Sequence, residues 1–228
     1  MSLGPGPPPP LRPVWMDRVV QRVAEDPPDY FTAFRPPPDP PRRSAVLMLF
    51  GPDPAGGEDV VLTERAHTLR SHAAQVSFPG GGLEDGDGGP IDAALREAEE
   101  EVGVDPASVD IVGVLPALFL GPSGHAVTPV LAWWPTPGEI GVVDEIEVAQ
   151  VVRVPVVDLL DSANRFNVVG PRGYRGPGFE TSGLFVWGFT AMLLSVLFDL
   201  AELSAPWDES RERDLPAHIL DAWRRGRA

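Results

Sequence analysis

The chain has 228 residues, a formal net charge of −15, 43% hydrophobic residues and no cysteine. That length holds one sizeable domain with extensions, and the acidity argues against a nucleic-acid binder, whose footprint is a basic surface. Without cysteine, disulfides and thiolate chemistry are excluded.

The first residues, MSLGPGPPPP, lack a charged start followed by an apolar core, so no secretory signal is visible and a cytoplasmic location is expected. Residues 1–13 are rich in proline and glycine and are expected to be disordered. Residues 14–25 predict a short helix with Trp15, Val19 and Val23 on one side. Residues 26–43 are too dense in proline for a helix or a central strand and read as a connector. The division expected is an extension over 1–43, a catalytic domain over 44–205 and a partly helical tail over 206–228.

Residues 45–50, AVLMLF, form an apolar run of strand length ended by Gly51-Pro52, and residues 59–65 form a second strand. The block that follows is polar and basic and runs straight into Pro79-Gly80-Gly81. Arg65 and Arg70 offer forked donors suited to phosphate, and His72 either donates to a phosphate or anchors the loop. Gln75 and Ser77 alternate with Val76 and Phe78, a strand pattern whose polar face is assigned to a cleft.

Residues 78–104 read FPGGGLEDGDGGPIDAALREAEEEVGV. Pro90 suits a first helical position, where no amide donor is needed, and Gly103 suits the left-handed residue that closes a helix. Ala94, Leu95, Ala98 and Val102 supply an apolar face, while Glu97, Glu100 and Glu101 stand at i, i+3 and i+4 on another. A glutamate run by itself is most often a solvated face. Like charges at this spacing nevertheless need a partner, and Arg96 alone does not neutralise four glutamates. A hard divalent cation would, since Mg2+ takes carboxylate, phosphate and water oxygens.

Beyond this helix, residues 109–120 and 125–134 predict two strands joined by a turn at 121–124, the first irregular or at an edge because of Gly113 and Pro116. Trp133 and Trp134 face opposite ways on such a strand and are assigned to core packing. Residues 170–178, rich in glycine and proline, predict a long loop over the substrate. Residues 184–203 predict a strand entering a buried helix, too short an apolar run for a membrane span. Residues 216–225 predict a last helix with His218 at the surface.

Two stretches carry a family resemblance. Arg96 to Val104, REAEEEVGV, resembles the second half of the Nudix box, G-x5-E-x7-REUxEExGU with U aliphatic. Counting from Gly81, the acidic position holds Asp87 instead of glutamate, and eight residues rather than seven separate it from Arg96. Upstream, LTERAHTLRSHAAQVSFPGG is similar to the added motif of the coenzyme A diphosphatase branch, LLTxR[SA]xxLRxHxGQ[VI]xFPGG, with Ala74 where that pattern has glycine and Val61 where it has its first leucine. Residues 143–155 and the stretch VWGFTA from Val186 to Ala191 also resemble that branch.

The resemblance implies an α/β Nudix fold, a mixed sheet between helices with the box as loop–helix–loop. It implies hydrolysis of coenzyme A or its thioesters to 3′,5′-ADP and 4′-phosphopantetheine or its acyl form, with Mg2+ or Mn2+. The metal would sit on Glu97, Glu100, Glu101 and the Gly80 carbonyl; Glu97 alternatively serves as general base, oriented by Arg96. Glu147 matches an acidic residue that approaches the metals from a loop, with Glu145 as an alternative, and Asp87 and Glu84 as outer ligands or loop stabilisers. Arg65, Arg70, His72, Gln75 and Ser77 would bind substrate. Another substrate such as ADP-ribose, or a binding module without catalysis, stays open. No nucleic-acid or membrane partner is expected, and homodimer formation is left open.

Overall fold

The computed structural model of the protein describes residues 10–67, 69, 73–121 and 123–225. Helices α1 (Val14–Glu25) and α2 (Asp29–Ala33) precede strands β1 (Arg42–Pro52), β2 (Glu58–Arg65), β3 (Val76–Ser77) and β4 (Gly80–Gly82). Helix α3 (Pro90–Val102) follows, then β5 (Asp110–Val114), β6 (Leu118–Leu120), β7 (His125–Trp133), β8 (Val148–Pro155) and α4 (Val156–Leu160). The chain ends in β9 (Arg165–Gly170), β10 (Tyr174–Thr181), β11 (Leu184–Val186), α5 (Gly188–Leu200), β12 (Glu212–Asp214) and α6 (Ala217–Arg225).

The main sheet runs β3-β2-β1-β7-β5, with β4 also on β1, β6 on β7 and β8 on β2. It is mixed: β1 and β7 are parallel, and the other pairs are antiparallel. Strand β1 explains the layers. Its run is apolar on both faces because both are covered: Met48 and Phe50 face one core with α1 and α5, while Ala45, Leu47 and Leu49 face another with α3. Trp133 and Trp134 divide the same way, one into each core. Each large side chain so buried contributes about 1.5–3 kcal/mol of hydrophobic stabilisation. The expected α/β arrangement, a mixed sheet between helices, is therefore present.

The N-terminal helix has the bounds its sequence predicts, and it packs on the domain: Met16 and Val19 are fully buried and Trp15 and Val23 nearly so. The proline-rich connector differs from its sequence expectation. Its prolines flank a seven-residue stretch, 29–35, that has none, and there the five-residue α2 forms and buries Phe31.

A second correction concerns residues 170–178. They form no long loop over the substrate. After one 3-10 turn they become β10, paired antiparallel to β9 in a smaller sheet ordered β11-β10-β9-β12. Glycine is tolerated in that strand for a steric reason: a Cβ on Gly178 would come within 2.5 Å of Val168 and 2.7 Å of Phe166 on the neighbouring strand. No helix among the described residues is long and apolar enough to cross a membrane.

Candidate active site

Helix α3 brings the carboxylates to the sheet. Its Ala93, Ala94, Ala98 and Val102 are fully buried against the sheet, and Gly103 ends it in a left-handed conformation with φ of 77°. That anchoring turns Glu97 and Glu101 towards the Gly80–Gly82 strand, while Glu100 stays at the rim with 59% of its side chain exposed. Glu101 is 4% exposed and accepts a 3.0 Å hydrogen bond from the Gly80 amide at Oε2. Gly81 fits its place closely: a Cβ there would sit 2.5 Å from the Glu97 carboxylate. The glycine turn is thus shaped around the helix face.

Arg96 organises the edge of this site. Its Nη1 donates to Glu97 at 3.1 Å and to Glu100 at 3.0 Å, its Nε and Nη2 fork onto Asp87 at 3.1 and 3.2 Å, and Nη2 also donates to the Gly82 carbonyl at 2.9 Å. Asp87 in turn accepts from the Glu84 amide at 2.8 Å. The acidic position in the first half of the box, Asp87, thus serves here as the arginine's fork partner. Hydrogen bonding to Arg96 holds the Asp87 carboxyl below the usual range.

Arg65 closes the other side. Pairing of β2 with β8 slips between Glu64 and Arg65, which sets Arg65 opposite Val148 and next to Glu147. Its Nη2 donates to Glu147 at 3.1 Å, and its Nη1 lies 3.7 Å from Glu101. Sequence reading offered Arg65 as a phosphate donor and missed these two ion pairs, because positions 65, 101 and 147 meet only through the sheet. Glu145 is exposed two residues earlier in the same loop.

Among the described residues the site is short of positive charge: five carboxylates, Asp87, Glu97, Glu100, Glu101 and Glu147, share Arg65 and Arg96. Burial pushes Glu101 up to about 7 and also raises Glu97. For Glu101 this desolvation outweighs the opposing pull of the Gly80 amide and of Arg65. Among the described residues no three carboxylate or imidazole groups form a ready-made cage as placed; the two arginines hold them instead. The donor set is nevertheless all oxygen, anionic and under-compensated, and it suits a hard divalent cation.

The basic block is described in part. Arg70 and His72 lie outside the described residues. Arg65 pairs through its backbone with both Ala74 and Gln75, and the Ser77 hydroxyl lies 3.0 Å from that of the buried Thr63. Ala74 takes a left-handed φ of 58° and is 3% exposed, packed with Phe166, Val168, Leu215 and Ile219. Helix α6 therefore braces this block, and its exposed His218 stacks on His67 with ring centroids 6.0 Å apart. Changing Ala74 to Gly should relieve about 1–2 kcal/mol of left-handed strain, against roughly 0.8 kcal/mol for a buried methyl and a similar entropic cost. The expected net change is under about 1 kcal/mol. Urea unfolding checks it, and a loss above about 2 kcal/mol would show that the methyl packing dominates.

A family model described as the NUDIX domain matches residues 40–169. The chain is 39% identical over 163 residues to a protein of Cronobacter sakazakii named uncharacterized Nudix hydrolase NudL, with 68% of this chain and 81% of the relative covered. The same name is carried by a Salmonella paratyphi B protein, 38% identical over 163 residues with the same coverage. Among solved structures, the M. smegmatis Nudix hydrolase RenU matches with a TM-score of 0.50 at 18% identity, over 74% of this chain and 90% of that one. That likeness bears on the fold alone.

Proposed function

Because the chain belongs to the Nudix hydrolases, which act on phosphorus-containing acid anhydrides, we propose that it hydrolyses the diphosphate of coenzyme A or its thioesters. Water adds to one phosphorus, the bridging P–O bond breaks, and the products are 3′,5′-ADP and 4′-phosphopantetheine or its acyl form. The block from Thr63 to Gly81 carries the choice of substrate. Ala74 stands where the coenzyme A pattern has glycine, and its φ of 58° is a conformation glycine adopts freely. The backbone at Ala74 is thus one that a glycine would take without strain, which supports reading residues 63–81 as that block.

Glu97, Glu100, Glu101 and the Gly80 carbonyl are assigned to Mg2+ or Mn2+, with Glu147 at the margin. Bound there, the ion would polarise the diphosphate and lower the pKa of water. Glu97 Oε1 is held by Arg96, which fixes the carboxylate for proton acceptance if it serves as base instead. Arg65, Arg70, His72, Gln75 and Ser77 form the substrate side, with Arg70 the donor proposed for the 3′-phosphate.

Arg70→Ala tests this division. It should lower kcat/KM for coenzyme A by about 1–3 kcal/mol, the scale of one charged hydrogen bond, and affect dephospho-coenzyme A less. Equal losses on the two substrates would remove the 3′-phosphate assignment.

A further inference from the structure

We propose that Arg65 is an internal counter-ion of the carboxylate site, which a divalent cation displaces and thereby frees to bind the substrate's diphosphate. The inference rests on the metal reading above and adds an exchange of partners to it.

The geometry of Arg65 carries the argument. An arginine paired with carboxylates frequently forks onto one of them with two parallel hydrogen bonds, as Arg96 forks onto Asp87 while also reaching Glu97 and Glu100. Arg65 does otherwise. It forks onto neither of its two carboxylates, making one hydrogen bond of 3.1 Å to Glu147 and approaching Glu101 only to 3.7 Å, beyond hydrogen-bond distance. Its Nε is buried and has no acceptor among the described residues. Arg65 therefore acts here as a point charge between two acidic groups, and its fork goes unused. One of those groups is almost wholly buried, whereas 24% of the Arg65 side chain remains exposed.

Exchange follows from charge and shape. A divalent cation held by Glu97, Glu100 and Glu101, with Glu147 at its margin, compensates both partners of Arg65 with a compact double charge, makes the guanidinium redundant and repels it. The anchor of Arg65 is its backbone, bonded to Ala74, Gln75 and the β8 strand, so the side chain can swing while the strand stays. A diphosphate arriving at the cation offers the paired oxygens that the fork lacks. Cation and substrate then bind cooperatively, each favouring the state in which Arg65 has let go of the carboxylates.

The test reads metal affinity without any substrate. Mn2+ alone is titrated into the full chain and free Mn2+ is followed by electron paramagnetic resonance, for wild type, Arg65→Met and Arg65→Lys. Arg65→Met, which removes the competing charge, should bind Mn2+ at least about fivefold tighter than wild type. Arg65→Lys, which keeps the charge, should stay near wild type. Equal or weaker binding by Arg65→Met would overturn the proposal, the weaker result making Arg65 a support for the carboxylates. Wild type that binds no Mn2+ would instead refute the metal reading itself. Should Arg65→Met fail to fold, the nitrogen resonances of the Arg65 guanidinium in wild type decide: added Mg2+ should free its rotation, and an unchanged signal would overturn the exchange.

Discussion

Replacing Glu101 by Gln should lower kcat by roughly a hundred- to a thousandfold while the protein stays folded and keeps or gains stability. The two effects have opposite signs for one physical reason. Glu101 is 4% exposed, and burial pushes its carboxyl up to about 7. Its charge is therefore a cost to the fold that the Gly80 amide and Arg65 offset only in part. Glutamine is nearly isosteric, still accepts from the Gly80 amide and carries no charge to desolvate. What is lost is the anionic oxygen proposed to hold the cation, whose charge stabilisation is worth several kcal/mol at about 1.4 kcal/mol per tenfold in rate. Thermal unfolding and steady-state kinetics on the same preparation separate the two. Near-normal turnover would mean that the metal does not sit on Glu101.

Arg96→Ala should lower kcat by about 10–100-fold, the usual cost of removing a group that orients metal ligands. A single guanidinium here serves Asp87, Glu97, Glu100 and the Gly82 carbonyl, so its loss releases the acidic loop and two helix glutamates together. Arg96→Lys should recover only part of the activity, because an ammonium cannot fork onto Asp87 while reaching Glu97. Mn2+ affinity should fall in step with kcat. Unchanged kcat in Arg96→Ala would show that Glu97 and Glu100 need no orienting partner.

The helix carrying these glutamates was legible because its signals are local. Pro90 starts it, Gly103 ends it, and its small apolar face repeats at helical spacing. The run from Ala45 to Phe50 was legible too, since a strand covered on both faces has no polar positions. Long-range pairing defeated the rest. Residues 170–178 look like a loop in isolation, and they become a strand only because β9 lies beside them and β12 pairs β9 from the far end of the chain. The partnership of Arg65 with Glu101 and Glu147 likewise depends on one slip in register between β2 and β8. Composition carries no trace of that. Asp87 stood between, visible as a misfit in the box and given a role only by the fork of Arg96 on its carboxylate.

The most direct test of the account is the identity of the bond that breaks. Coenzyme A and an acyl-coenzyme A are incubated with the full chain and Mg2+ or Mn2+ in water enriched in oxygen-18, and the products are identified by mass. The account predicts 3′,5′-ADP and 4′-phosphopantetheine, or its acyl form, with the heavy oxygen on one phosphate product and no turnover after chelation. Release of free acid with coenzyme A left whole, or rapid hydrolysis of ADP-ribose with coenzyme A untouched, would contradict it.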